Sequence, residues 1–367
     1  MATNRDISRM RDAIALARKG EGMTRPNPPV GALVYKGSTQ VGSGFHRKAG
    51  GPHAEIRALR EAGSASQGGT LYATLEPCST SGRTGPCTKT ILESGIRRVV
   101  VGSVDPNPAH EGRGLTLLRR HGVVVEKGVL KSECDELIEP FKKWIRDGTP
   151  FVTLKLGMSL DGRIADRRGR SKWITGPESR SHVQGLRRRS DAILVGAGTA
   201  RMDNPSLLPV PAKGRKPFRI VVAGSRRLPQ QLKVLQDQWA TRTLVAIPDA
   251  NASEWETLHR SSTFELMVVS TRPDGKVSIP ALLKKLGARG FLHLLCEGGG
   301  GIAEALIKAH SVDEFHFFYA PCLIGGNDSV PAISGKGWNL GDFPEVIVTH
   351  FQRSGNDLWI RAKPIND

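Results

Sequence analysis

His53 and Glu55 lie two residues apart, Cys78 and Cys87 follow them, and a proline precedes each of these segments at Pro52, Pro77 and Pro86. An imidazole and two thiols make three nitrogen and sulfur donors, the ligand number of a catalytic zinc site rather than a closed structural one. The fourth tetrahedral position is then open to water, and zinc lowers the pKa of that water so that hydroxide exists near neutral pH. A carboxylate must also move protons to a ring nitrogen and a leaving amine. Glu55, at the same helix start as His53, is placed for that role. His53 and Cys87 each follow a proline at a predicted helix N-terminus, where the helix dipole favours thiolate and developing negative charge. Any one of these residues alone reads as ordinary packing. Together, in strand–helix order, they predict a zinc-dependent deaminase.

A second centre is less legible. Cys296-Glu297-Gly298-Gly299-Gly300-Gly301-Ile302 carries a predicted strand into a helix. Glycines there let backbone N–H groups approach a phosphate, and the helix N-terminus adds positive potential. The dinucleotide fingerprint is not met, because its third glycine is missing and no acidic residue follows at about twenty positions. The run therefore fits a phosphate site and a tight strand–helix turn equally. Glu297, ending an apolar strand, is harder to explain by packing.

The elements that must position these residues alternate. Met10, Ala13, Ile14 and Ala17 fall at helical spacing, stopped by Gly20 and Gly22. Strands are predicted over 30–35 and 41–45, with Lys36, Gly37 and Ser38 in the turn, then over 70–75, 99–104 and 123–125. Helices open at Pro52 and Pro86, another runs through 115–119, and a terminal one covers 133–145, bent or restarted by Pro140. Arg146-Asp147-Gly148-Thr149-Pro150 reads as a linker. Beyond it come strands at 151–157, 192–196, 219–223, 243–247, 266–270, 291–296 and 314–319, with helices near 178–187, 279–286 and 302–308. The tail, 345–349 and 358–362, alternates like an antiparallel hairpin at a sheet edge. This is an α/β protein of two domains, and 367 residues give each its own core.

Composition narrows the partners. No run of eighteen apolar residues occurs and no secretory signal is visible, so neither a membrane partner nor export is expected. Five scattered cysteines argue against a disulfide framework and for a reducing cytoplasm. Cys134, Cys296 and Cys322 read as buried packing residues. The net charge of +18 raises nucleic acid as a partner. The charge is shared by both halves, however, and short runs such as Arg187-Arg188-Arg189 lack interleaved aromatics. Surface charge plus small phosphorylated ligands is the expectation, with no nucleic acid.

Eight residues separate Cys78 from Cys87, where deaminases of nucleosides and nucleic acids have two. That insert, with Gly82-Arg83-Thr84, resembles the bifunctional riboflavin-biosynthesis deaminase–reductases. So do Pro26-Asn27-Pro28-Pro29, Gly44-Phe45-His46, Thr74-Leu75-Glu76-Pro77-Cys78 and Asp105-Pro106-Asn107-Pro108. In the second half the resemblance runs through 154–163, 171–175, 191–199, 203–207 and 296–301, and overall it covers 8–364.

The resemblance implies a cytidine-deaminase-like α/β/α domain over 1–147 and a dihydrofolate-reductase-like α/β domain over 150–367. The implied cofactors are Zn2+ and NADPH. The implied substrate is a small phosphoribosyl pyrimidine, deaminated and then reduced from ribosyl to ribityl, and the chain is expected to form a homo-oligomer. Asn27 would hydrogen-bond the pyrimidine, while His46 and Arg83 would face the ribose phosphate. Gly157, Trp173, Thr199, Asp203, Ser225, Gly299, Gly300 and Gly301 would hold NADPH. Ser171, Arg187, Leu207 and Glu297 would hold the substrate, and Lys155 or Asp203 would position groups or deliver a proton. By packing alone, Trp173 and Leu207 could equally be core. Ser225-Arg226-Arg227, a hydroxyl with two cations, suits the 2′-phosphate that distinguishes NADPH from NADH.

Two departures stand out. Thr80 replaces a histidine common in the family, and Val210 stands where an arginine usually meets the substrate phosphate. At the second, either Arg215 reaches in from the longer turn or affinity falls. The rival readings are a tRNA deaminase with a basic accessory domain and a non-catalytic nucleotide-binding protein.

Overall fold

A computed structural model describes residues 2–80, 85–211, 215–259 and 262–365. The chain forms two compact units, Met1–Gly148 and Thr149–Asp367.

The first unit runs α1 (Asn4–Arg18), β1 (Gly31–Lys36), β2 (Thr39–Phe45), α2 (Ala54–Ala62), β3 (Thr70–Leu75) and α3 (Cys87–Glu93). It continues with β4 (Arg98–Ser103), α4 (Arg113–Arg120), β5 (Val124–Lys127), α5 (Lys131–Leu137) and α6 (Glu139–Asp147). The sheet order is β2-β1-β3-β4-β5. β1 pairs antiparallel with β2 and β3, and β3, β4 and β5 run parallel. Alternation of side chains gives the sheet two apolar faces. Ala32, Val34, Leu71, Val99 and Val101 pack under α2, α3 and α4. Leu33, Tyr72 and Val100 pack against Met10, Ala13 and Ile14 of α1 and Cys134 of α5. The result is a three-layer α/β/α sandwich. Pro140 sits in the first turn of α6 and restarts the helix after Ile138, for the reason its ring cannot continue one.

The second unit runs β6 (Phe151–Ser159), β7 (Arg163–Ala165), α7 (Pro177–Arg189), β8 (Ala192–Gly196), α8 (Ala197–Asp203) and β9 (Phe218–Val222). Then follow α9 (Lys233–Gln236), β10 (Thr243–Pro248), α10 (Ala252–His259), β11 (Glu265–Val269), α11 (Ile279–Ala288) and β12 (His293–Cys296). The last elements are α12 (Gly300–Lys308), β13 (Glu314–Ala320), β14 (Val330–Pro331), β15 (Val346–Ser354) and β16 (Asp357–Pro364). Nine strands form one sheet in the order β11-β10-β9-β8-β12-β6-β13-β16-β15. It is parallel up to β13, and β16 and β15 close it as an antiparallel hairpin. β7 and β14 pair separately.

The short helices α8, α9 and α10 escape sequence reading because none has enough apolar residues at helical spacing to show a buried stripe. Cys134 and Cys296 are buried, but Cys322 is exposed, contrary to the packing role its apolar neighbours suggest. Its neighbour Leu323 is also exposed. This stretch follows the end of β13 and has no layer above it.

One buried carboxylate ties α1 to the sheet. Asp6, 2% exposed, completes a capping box with Thr3. It also accepts bonds from Arg98 at 2.7 and 3.0 Å and from the Tyr72 hydroxyl at 2.8 Å. The Arg98 guanidinium holds the carboxyl well below its ordinary pKa although burial opposes it. Asp6→Asn should destabilise this unit by about 2–3 kcal/mol at neutral pH. Because the folded pKa is depressed, that contribution is complete above the unfolded value of about 4 and fades as pH falls below it. Urea midpoints of parent and variant should therefore differ at pH 7 and draw together in acid; a gap independent of pH would contradict the assignment.

Candidate functional site

Three element ends bring the candidate metal-ligating side chains together. His53 is the N-cap residue of α2 and makes no side-chain capping bond, so its ring is available elsewhere. Cys87 opens α3 after Pro86. Cys78 lies just beyond β3, held to α3 by the Cys87 N–H to its sulfur at 3.3 Å and by the Thr88 N–H to its carbonyl at 3.2 Å. His53 Nδ1 is 3.2 Å from Cys87 Sγ and 3.5 Å from Cys78 Sγ. All three donor atoms lie within 4.8 Å of one another. A tetrahedral zinc with bonds of about 2.0 and 2.3 Å requires donor separations of about 3.5–3.8 Å. The donor set and its spacing fit that ion.

The electrostatics agree. Hydrogen bonding from Cys87 brings the Cys78 thiol down to about 4 against the effect of burial. The Cys87 thiol moves up, by its bond to Cys78 and by burial. One thiolate is thus stabilised by the protein alone, and a dication would ionise the second. Glu55 is 3% exposed, and burial pushes its carboxyl up to about 7, with His53 pulling it down. A carboxyl poised near neutrality is what proton shuttling needs.

A cavity of ≈ 440 Å³ opens on this cluster, lined by Asn27, His46, His53, Glu55, Cys78 and Thr80 among others. His46 is buried, with Nε2 3.2 Å from the Asn27 amide nitrogen and Nδ1 3.3 Å from the Pro52 carbonyl. Burial lowers its pKa, so it meets a ligand as a neutral ring. Arg83 lies outside the described residues.

Glu76 lies in the Thr74–Cys78 motif, and its sequence context suggests no role. It accepts four backbone N–H bonds, from Asp105, Gly112, Gly114 and Leu115 at 2.9–3.4 Å. It thereby fastens the loop before α4 to the strand end that carries Cys78. Its partners are main-chain groups about thirty to forty residues away, which leave no local sequence signal.

In the second unit two cavities adjoin at the C-terminal ends of the parallel strands, where ligands of open α/β sheets bind. The first, ≈ 550 Å³, is lined by Thr199, Asp203, Gly224 and Gly299–Gly301 with Arg272 and Lys276. Gly299 adopts φ +85° as N-cap of α12, a conformation that favours glycine. A Cβ on Gly301, Gly198 or Gly224 would meet nothing within 4 Å, so bare backbone faces open space. That cradle suits a dinucleotide phosphate at a helix start. Ser225, Arg226 and Arg227 are exposed one step beyond Gly224, and Arg227 pairs with Glu254 at 3.2 Å.

The second cavity, ≈ 720 Å³, holds Lys155, Gly157, Trp173, Arg187, Leu207 and Glu297. Ser171, Thr199, Asp203 and Gly299 line both cavities. Gly157 and Trp173, expected on the cofactor, thus line the cavity that also holds the substrate candidates. Trp173 is 71% exposed with the Arg180 guanidinium 4.7 Å from its ring centre, which removes its core reading. Leu207 is 2% exposed at φ +55°, an uncommon backbone state for a branched residue. Arg187 binds Glu297 through two nitrogens at 2.5 and 2.8 Å. Burial would raise the Glu297 carboxyl, yet Arg187 holds it below its ordinary value. Burial lowers the Lys155 ammonium, with Glu297 opposing. Asp203 accepts from the Ser171 hydroxyl at 2.9 Å. Arg215 turns to Asp191 at 3.8 Å and is not among the residues lining this cavity. Arg180 and Lys233 also line this cavity, with no motif to announce them, and Arg188 donates to the Val210 carbonyl at 3.1 Å.

Residues 3–103 match the cytidine and deoxycytidylate deaminase zinc-binding region, and residues 150–360 match the RibD C-terminal domain. The riboflavin biosynthesis protein RibD of Bacillus amyloliquefaciens is 40% identical over 97% of this chain and 95% of its own length. The solved RibD of Acinetobacter baumannii superposes with a TM-score of 0.86 at 32% identity, covering 99% of both chains. A solved Thermotoga maritima protein is described as a diaminohydroxyphosphoribosylaminopyrimidine deaminase/5-amino-6-(5-phosphoribosylamino)uracil reductase. It gives 0.86 at 34% identity, over 98% of this chain and 99% of its own.

Metal analysis tests the donor set. The purified chain should carry about one zinc, and Cys87→Ser, which replaces a thiolate by a poor ligand, should lose most of it while the second unit stays folded. Full zinc retention in Cys87→Ser would rule that thiol out as a ligand.

Proposed function

The chain belongs to the RibD family of riboflavin-biosynthesis proteins, and from that premise we propose how its residues divide the work. It is a bifunctional enzyme, a zinc-dependent deaminase and an NADPH-dependent reductase. The first activity removes the 2-amino group of 2,5-diamino-6-ribosylamino-4(3H)-pyrimidinone 5′-phosphate, and the second reduces 5-amino-6-(5-phosphoribosylamino)uracil to its ribitylamino product. In our reading residues 1–147 form the deaminase and 150–367 the reductase. The observation that carries it is the meeting of His53 Nδ1 with the Cys78 and Cys87 sulfurs in the cavity lined by buried Glu55.

His53, Cys78 and Cys87 would hold zinc, which when bound acidifies water at that end of the cavity. Glu55 takes up and returns the proton, between the nucleophilic oxygen, the ring nitrogen and the departing ammonia. Asn27 reads the pyrimidine edge, and His46 keeps its amide turned to the ring. Arg83 meets the ribose phosphate, with Thr80 offering one hydroxyl and no charge. In the reductase, Thr199, Asp203, Ser225 and Gly299–Gly301 hold NADPH, with Gly157 and Trp173 where cofactor and substrate meet; NADPH supplies a hydride when bound. Ser171, Arg187, Leu207 and Glu297 hold the ribosyl substrate. Lys155, with its lowered pKa, is the better-placed proton carrier, and Asp203 orients Ser171. The eight-residue cysteine insert and the second cavity pair disfavour a nucleic-acid deaminase.

We also infer that the chain works as a homo-oligomer in the cytoplasm. Five unpaired cysteines, two of them metal ligands in our reading, support a reducing compartment. Edge strand β15 exposes Val346, Ile347, Val348 and Phe351 at 40–62%, an apolar patch that an identical chain would cover. Val348→Asp with Phe351→Asp should convert a sedimenting oligomer to single chains, and an unaltered mass would contradict that surface.

Glu55→Gln should reduce ammonia release about a thousandfold. Zinc content and NADPH oxidation on the deaminated intermediate should persist. Loss of both activities in a folded, zinc-loaded variant would contradict two independent sites.

A further inference from the structure

A phosphorylated substrate needs a donor or a cation at the end of the deaminase cavity away from the metal ligands. Among the described residues lining that cavity none is lysine or arginine, and three are histidines. His53 faces the two thiols, and His46 is buried with both ring nitrogens engaged. His110 is the third. Its Nδ1 lies 3.4 Å from Thr80 Oγ1 at the exposed rim of the cavity. The other ring nitrogen, Nε2, has no hydrogen-bond partner among the described residues, and in the tautomer in which the Thr80 hydroxyl donates to Nδ1 it carries the proton and can donate.

The loop carrying His110 is held firmly. Asp105 accepts from the Asn107 N–H at 2.9 Å, and Asn107 accepts from the His110 N–H at 2.8 Å and, through its side chain, from Ala109 at 3.0 Å. On either side of it the Asp105 and Gly112 N–H groups are bound by the buried Glu76 carboxylate at 3.2 and 2.9 Å. The same carboxylate belongs to the strand end leading to Cys78. The imidazole is thus registered against the metal cluster through one rigid group, which is the support a binding side chain requires.

We propose that His110 is a specificity-determining residue of the deaminase, donating from Nε2 to the 5′-phosphate of the substrate, with Thr80 setting its tautomer. This rests on the deaminase reading above. Thr80 offers a hydroxyl and no charge at this rim, and the imidazole at 110 meets it from the facing loop.

The test is the ratio of kcat/KM for ammonia release between the phosphorylated ribosylaminopyrimidine and the same compound lacking its 5′-phosphate. His110→Ala should lower that ratio about tenfold, the scale of one hydrogen bond to a charged group. His110→Gln, which keeps a donor, should lower it less, and Thr80→His in the His110→Ala background should restore part of it. Zinc content near that of the parent shows that each variant is folded. Ammonia release with an unchanged ratio in His110→Ala would overturn this assignment alone. No ammonia from the unaltered, zinc-loaded chain would overturn the deaminase reading and this inference with it.

Discussion

An imidazole and two thiols cannot be buried side by side cheaply unless something compensates their polarity, and that constraint organises the first unit. The three donors come from the start of one helix, the start of another and the end of a strand. Each of those ends must therefore be fixed in space before the cluster exists. The sheet does this through its parallel centre: β3 and β4 run side by side, so the loops after them emerge at one edge, and α2 and α3 pack on the same face. A zinc ion would then stabilise what the packing has gathered, because it would ionise the second thiol beside the one the protein already favours as thiolate.

Two buried glutamates near that cluster show how environment separates roles. Glu76 is surrounded by main-chain donors and shapes a loop. Glu55 is buried beside His53 and the two thiols with its pKa raised to about 7, so it can both take up and release a proton near neutrality. The residue type is the same, the burial is similar, and the count of N–H groups around the carboxyl decides which is structural and which is chemical. In the second unit Arg187 plays the part of those donors for Glu297, with one guanidinium in place of four amides.

Much of this was legible in the amino-acid order because the ligands sit at element ends that proline marks. Pro52, Pro86 and Pro140 each announce a helix start, and the alternating strands 70–75 and 99–104 imply the sheet between them. What escaped has a common cause. Glu76 acts through main-chain partners distant in sequence, so no spacing betrays it, and Lys233 and Arg180 reach a cavity wall with no motif around them. Helices α8 to α10 bury too few side chains to imprint a period. Cys322 misleads in the opposite sense, since its apolar neighbours promised burial and it is exposed.

The wall common to the two cavities of the second unit has a thermodynamic consequence. Ser171, Thr199, Asp203 and Gly299 face both spaces, so occupancy of one changes the surface presented to the other. Whatever factor a ligand in one cavity imposes on affinity for a ligand in the other, the second must return to the first in full. A change at Asp203 therefore cannot be sorted as belonging to one ligand; it alters a coupling that both share, and the order of arrival leaves that coupling unaltered.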